Sequence, residues 1–330
     1  MIEPSLLLTL AVLAQADAQE EEPPPPLPNS MVWTWTKKQE SRLRKIEREV
    51  VKGADDRFRQ KETSYAVDTY GSPRLAAEIG LFLEVFEESV LEVLDADRRY
   101  SAQPTVKLFD NRAEFQKAAP MSAGARLVYE AIPEPKGKTK HRIKILANDL
   151  FAYVENNEKP TFNDLPLADL RAEGARAVLV GVLGRPNVSA WFEEGVCRWF
   201  STWDPREKKK LAFAGRLARS EGMTTIIASM KNARTGWRPS LENLTRISPT
   251  SWPGRGLSSE ATNEQWSESV IDALMTAKGA KSTREDLIEE FVRIGLAKTS
   301  HALHDPKDIT SIEKIWLRHL DGLAPKADSK

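Results

Sequence analysis

A single cysteine, Cys197, leaves no intrachain disulfide with which a small or loop-rich scaffold could be stapled. The fold must stand on buried apolar surface. Its composition allows that: of 330 residues, 41% are hydrophobic and 29% charged, the proportions of a soluble domain with a real core. The length admits one large or two modest domains. Lys plus Arg and Asp plus Glu number 48 each, so the formal charge is zero. No global positive surplus points to nucleic acid as a partner. The plainest local basic patch, Lys208-Lys209-Lys210, reads as a solvated helix face. No stretch reaches the roughly 20 apolar residues of an ordinary transmembrane segment.

The N-terminal residues have a different character. Leu6 to Leu13 is a short apolar run, and Ala14-Gln15-Ala16-Asp17-Ala18 offers two overlapping Ala-x-Ala cleavage sites. That is the pattern of a secretory signal peptide over residues 1–18, although Met1-Ile2-Glu3-Pro4 contributes no Lys or Arg. It predicts export to the periplasm or the extracellular space, with a mature terminus at Asp17 or Gln19. Were Met31 the true start, the protein would be cytoplasmic. Glu20 to Pro28 is acidic and Pro-rich, the centre of a linker over 19–35 that is too stiff and polar for a core.

Residues 36–59 are dense in Lys, Arg and Glu with little apolar stripe, and predict a solvent-exposed helical lead-in. From there one α+β domain is expected over 60–322, with a tail over 323–330. Tyr65, Val67 and Thr69 alternate as in a strand. Pro73 opens a helix carrying Leu75, Ile79, Phe82, Leu83, Phe86, Val90 and Leu94 at spacings of three and four. Thr105 to Phe109 reads as a strand, and Asn111 as the N-cap of the helix that follows. Arg142–Leu146 and Phe151–Val154 are further strand candidates. Helical patterns run over Leu167–Val182 and Ser189–Phe200, and Asp204-Pro205-Arg206-Glu207 is a strong helix start. Trp237 to Gly256 reads as the least regular part. The remainder is helical: Glu260–Met275, Thr283–Ile294 and Ser311–Leu320, the last two introduced by Thr283-x-x-Asp286 and Thr310-x-x-Glu313 boxes.

Two helical segments carry the candidate site: Leu170-Arg171-Ala172-Glu173-Gly174-Ala175-Arg176 and Trp191-Phe192-Glu193-Glu194-Gly195. They resemble the metal-site helices of the gluzincin metallopeptidases, especially the DUF1570-like group of the peptidase MA superfamily. In that family an H-E-x-x-H helix supplies two zinc ligands and a general base, and a Glu on a following W-L-x-E-G helix supplies the third ligand. Imidazoles four residues apart share a helix face and converge on one ion, whose bound water the intervening carboxylate activates. The resemblance puts Glu173 at the base position, Glu194 at the third-ligand position, and Ala172 and Arg176 at the two histidine positions. It extends over about residues 60 to 320: the Tyr65–Thr69 strand, the Pro73 helix with Leu83-Glu84, the Val106–Phe109 strand, Arg112-x-Glu114-Phe115, and the closing Phe291–Leu296 and Glu313–Leu320 segments. Around Pro249–Trp266 it departs, with Trp252-Pro253-Gly254-Arg255-Gly256 where the family carries a more apolar helix.

The resemblance therefore implies a metallopeptidase-like fold stripped of its nitrogen ligands. Alanine has no donor atom, and arginine is permanently protonated and donates only. Zinc is expected to be absent, zinc-dependent peptidase activity is not expected, and a peptide- or protein-binding or structural role follows. The alternative is a hydrolase with an unconventional site around Glu173 and Glu194. Trp191, Glu193 and Cys197 are further cleft candidates, although Trp191 and Trp199 read more simply as core, and Cys197 as packing. A Cys–His arrangement through a spatial partner stays open. His301, His304 and His319 could assemble an alternative metal site but lack Cys or Glu at a recognised spacing, and His141 reads as a surface residue. Loss of the metal would leave two carboxylates in a partly enclosed cleft. Arg176 is therefore expected to bridge to Glu194, with Glu173 a further partner; the alternative turns it outward, toward solvent or a carboxylate such as Asp169.

Overall fold

The computed structural model describes residues 35–94, 103–120, 127–134, 138–147, 151–152, 161–162, 164–183, 190–201, 225–226, 239–246, 262–286, 289 and 309–323. The expected signal peptide, nearly all of the linker, the Asp204 helix start, the Lys208–Lys210 run, His301 and His304 lie outside them.

Helix α1 (Lys37–Arg48) starts at a capping box: the Thr36 hydroxyl accepts from the Gln39 amide, and the Gln39 side chain accepts from the Thr36 amide. It is not the wholly solvated lead-in that its charge density suggests. Leu43 and Ile46, one turn apart, are buried against Ala77 and Leu81. The next residues belong to the sheet: β1 (Val51–Lys52) and β2 (Phe58–Gln60) pair antiparallel, and β2 pairs with β3 (Ala66–Thr69). The domain start expected at residue 60 thus falls inside the sheet. Charged side chains on one face of short strands hide that from a composition reading.

The fold is α+β, with a mixed six-stranded sheet ordered β1-β2-β3-β4-β6-β5. The other strands are β4 (Thr105–Phe109), β5 (Leu127–Glu134) and β6 (Lys138–Leu146). β3–β4 and β4–β6 run parallel; β5–β6 is antiparallel. Between β3 and β4 the chain passes through α2 (Pro73–Leu94), whose Leu75, Ile79, Phe82 and Leu83 meet Val67, Val106, Leu108, Ile143 and Ile145 in one apolar cluster. Asn111 caps α3 (Arg112–Ala118), accepting from the Glu114 amide at 2.8 Å.

Strand β5 carries no strand expectation from the sequence, and it contains Pro133 near its end. The sheet order explains its tolerance: β5 is an edge, where a missing N–H costs little. Its pairing stretches β6 back to Lys138, well before the expected start at Arg142. His141 is buried, not on the surface, and its Nδ1 lies 2.8 Å from the Tyr129 hydroxyl across the hairpin. A separate short ribbon joins β7 (Phe151–Ala152) to β8 (Thr161–Phe162).

The second half is helical. Helix α4 (Asp164–Leu183) begins before the expected Leu167 because Pro166 sits in its first turn, where no intrahelical N–H is needed. Then come α5 (Ala190–Ser201), α6 (Leu241–Arg246), α7 (Asn263–Thr276) and α8 (Ile309–Leu323). Helix α6 lies inside the stretch expected to be irregular. Leu241 and Leu244 are buried, Ser240 accepts from the Asn243 amide, and Glu313 of α8 accepts from the Leu241 amide at 3.1 Å. That contact also removes the Thr310 box, since α8 already starts at Ile309 and Glu313 serves another helix. Residues 281–286 are helical, so Thr283 is inside the helix and not at its cap. Phe86, Val178, Trp191, Phe200, Trp266 and Trp316 centre the large core here.

Candidate functional site

The site lies on the seam between α4 and α5. At 3.6 residues per turn, Ala172 and Arg176 share a face of α4, with Glu173 one turn before Arg176. Glu193, Glu194 and Cys197 come from α5. Two glycines let these helices approach their other neighbours, α2 and α7. A Cβ on Gly174 would stand 3.1 Å from the Phe86 ring of α2, and one on Gly195 would stand 2.7 Å from both Ile271 and the Ser267 carbonyl oxygen of α7.

Arg176 occupies the centre. Its Nε donates to Glu173 Oε2 at 2.9 Å, Nη1 to Glu193 Oε1 at 2.6 Å and to Glu194 Oε1 at 2.7 Å, and Nη2 to Glu194 Oε2 at 3.0 Å. The expected bridge between helices is present, and the outward alternative is overturned. Glu193 is a third partner that no pairing argument from sequence anticipated. Adjacent helical residues point about 100° apart, and a guanidinium placed on the seam can reach both. The Arg176 side chain is 14% exposed, so these charges are shielded without being sealed from water.

Electrostatics follow from that enclosure. With every carboxylate ionised, three negative charges would face one positive charge. Burial pushes the Glu173 carboxyl above its ordinary range; Arg176 opposes the rise, and Glu194 and Glu193 reinforce it. Burial works to lower the Arg176 pKa but is outweighed by Cys197, Glu173 and Glu194, leaving it raised. Burial also drives the Cys197 thiol well above its ordinary value. Being neutral at neutral pH, it contributes no charge there, and the carboxylates hold the guanidinium.

The other expected cleft residues divide. Glu193 faces the ion cluster. Trp191 is fully buried in the core beside Phe192, with ring centroids 5.7 Å apart, and lines no open cleft. Cys197 is 1% exposed and Trp199 is buried, as their packing readings expected. Ala172 packs against the same core.

A second polar network escaped sequence reasoning because its members are far apart in the chain. Asp272 of α7 accepts from Trp199 Nε1 at 3.1 Å and lies 2.8 Å from His319 Nε2 of α8. Beside it, Trp316 Nε1 donates to Ser269 Oγ at 2.9 Å. These contacts tie α5, α7 and α8 together through buried groups, with His319 Nε2 engaged by Asp272.

These residues do not fit zinc at the α4–α5 seam. Ala172 offers no donor atom, Arg176 offers only hydrogens, and its guanidinium already lies against Glu194, the carboxylate a metal would need. No group of three or more His, Cys, Asp or Glu side chains is arranged to hold a metal ion among the described residues. No helix among them is long and apolar enough to cross a membrane. Comparison with models of known protein families gave no match, and comparison with curated proteins gave none either.

Proposed function

We propose that this chain is an exported, noncatalytic protein of the metallopeptidase-like, gluzincin type, retained for peptide or protein recognition or as a structural module. The observation that carries the reading is Arg176. It stands at a position where the resembled family has a metal-ligating histidine, and it contacts the carboxylates at both the base and third-ligand positions. An ionic clasp then does the joining that a metal would otherwise do. The succession of strand, helix, strand, and two helices meeting at the seam supports the same reading.

A hydrolase acting through Glu173 and Glu194 is the competing reading. It needs one of these carboxylates to approach a substrate, whereas the Arg176 guanidinium already lies against Glu173 Oε2 and both oxygens of Glu194. A cysteine nucleophile is disfavoured because Cys197 is buried and its thiol is held protonated.

The test is metal analysis of the purified protein alongside a broad peptide-cleavage screen with and without a chelator. Substoichiometric zinc and no cleavage are expected. One tightly held zinc per chain, lost on Glu194→Ala, would sink the reading, as would cleavage abolished by Cys197→Ala. Sequencing the N-terminus of protein from its native cell tests export, with a start at Asp17 or Gln19 expected.

A further inference from the structure

Among the described residues, α2 and α4 cover one face of the sheet; the other, which α3 covers only at one end, carries a concentration of positive charge. Alternation along β6 puts Lys140, Arg142 and Lys144 on the open face, while His141, Ile143 and Ile145 point into the protein. The three cations stand about 6.8 Å apart along the strand. In register, Lys107 of β4 lies beside Lys144, and Asp68 of β3 beside Lys107, at lateral steps of about 4.8 Å. Arg59 follows Asp68 on β2. These residues and Lys61 line a concavity of about 510 Å³ in which Asp68 is the one acidic residue among the described lining.

Several of these cations are uncompensated. Asp68 is shared by Arg57 and Arg59, Arg59 also meets Asp55, and Lys144 donates to Glu130 and to the Ala118 carbonyl, both at 2.5 Å. Lys61, Lys107, Lys140 and Arg142 form no ion pair among the described residues; Glu130, opposite Arg142 in the β5–β6 ladder, is engaged by Lys144. Lys107 is exposed, with its ammonium 5.1 Å from the Phe109 ring centroid. Like charges this close repel unless a counter-charge is bound between them.

We propose that this open sheet face binds a soluble small molecule bearing two or more phosphate groups, with Lys107, Lys140 and Arg142 as its principal contacts. The volume is that of a small-molecule site, and α3 closes one end through Ala118. Ammonium groups and a guanidinium fork supply several donors to tetrahedral oxyanions. A polymer fits less well. Strand addition needs a sheet edge, and this is a sheet face. Among the described lining residues the one aromatic ring, Phe109, is buried beneath Lys107 and offers no exposed face for stacking bases.

Calorimetric titration of the full chain with inorganic tripolyphosphate tests this. Saturable one-to-one binding is expected, weakened by salt. Lys107→Glu with Arg142→Glu should weaken it roughly tenfold or more, by losing charge-assisted contacts. Lys37→Glu with Lys38→Glu, the same charge change on the exposed α1, should leave it unchanged. Lys107→Gln with Arg142→Gln should also weaken it, should the reversals unfold the chain. Absence of saturable binding, equal weakening by the α1 pair, or binding of oligothymidylate or polyglutamate without tripolyphosphate would overturn the proposal.

Discussion

The Arg176 guanidinium meets Glu194 with both terminal nitrogens, Nη1 at 2.7 Å from Oε1 and Nη2 at 3.0 Å from Oε2. A planar fork against a planar carboxylate fixes the rotation of α5 relative to α4 as well as their separation. Glu173 and Glu193 complete the ring of acceptors around Nε and Nη1. The helices are thus locked by one side chain that itself cannot lose its charge.

Replacing that side chain should be costly. Arg176→Ala strands three shielded carboxylates, and a loss of about 3–5 kcal/mol is expected, as for breaking a buried pair from one side. Urea unfolding followed by circular dichroism measures it. A loss of only about 0–1 kcal/mol would mean that solvent screens the cluster as it does an exposed pair. In a double-mutant cycle with Glu194→Ala, the two losses should be strongly non-additive.

Glu173 gives the pH dependence its sign. Its folded pKa is raised by burial, so the native state holds its proton to higher pH than the unfolded chain does. Its contribution to stability therefore falls as pH rises from the ordinary carboxylate value near 4.5 toward the raised native one. Glu173→Gln mimics the protonated form and keeps an acceptor for Arg176. It should be at least as stable as the parent at pH 7, with a flatter stability profile over that window. Melting temperatures across a buffer series check this, and a steeper decline in the variant would contradict it.

The α5–α7 crossing is set by backbone proximity at Gly195. A methyl group there meets the Ser267 carbonyl oxygen and Ile271 at 2.7 Å, and neither helix can yield without disturbing Trp266 or Trp199. Gly195→Ala should therefore lose about 1–3 kcal/mol by overpacking, despite the better helix propensity of alanine. Chemical denaturation reads the loss; a gain in stability would show that the crossing relaxes.

Restoring imidazoles tests whether the seam keeps the backbone of a metal site. Ala172→His combined with Arg176→His replaces a methyl and a guanidinium by two ligands one turn apart on α4, the second of them where Arg176 now meets Glu194. The double variant is expected to bind one zinc, displaceable by a chelator and lost on adding Glu194→Ala. Failure of a correctly folded double variant to take up zinc would mean that the helices are too close or wrongly rotated for a metal.

Local order was legible in the chain where it depends on near neighbours. The three-and-four spacing from Leu75 to Val90 marks α2, the Asn111 cap marks α3, and Thr105–Phe109 marks β4 at both ends. Even the Arg176–Glu194 pairing could be anticipated, since a helix, a turn and a helix bring 176 and 194 to one seam. Strand β5 was not anticipated; its Pro133 is tolerated because β5 lies at an edge, and edge position is a property of the assembled sheet.

What the sequence by itself determined is therefore the alternation and helical periodicity of its segments, and with them the α+β class and the absence of ligand atoms at 172 and 176. Those depend on side-chain chemistry and on spacings of two to four residues. Tertiary structure alone decided that Asp272 joins Trp199 to His319, that Glu313 caps α6, and that Glu193 completes the clasp. It alone gathered Arg59, Lys107 and Arg142 on one face, because ladder register turns residues separated by dozens of positions into neighbours about 5–10 Å apart. Periodicity says which side of an element is apolar; only packing says what the other side meets.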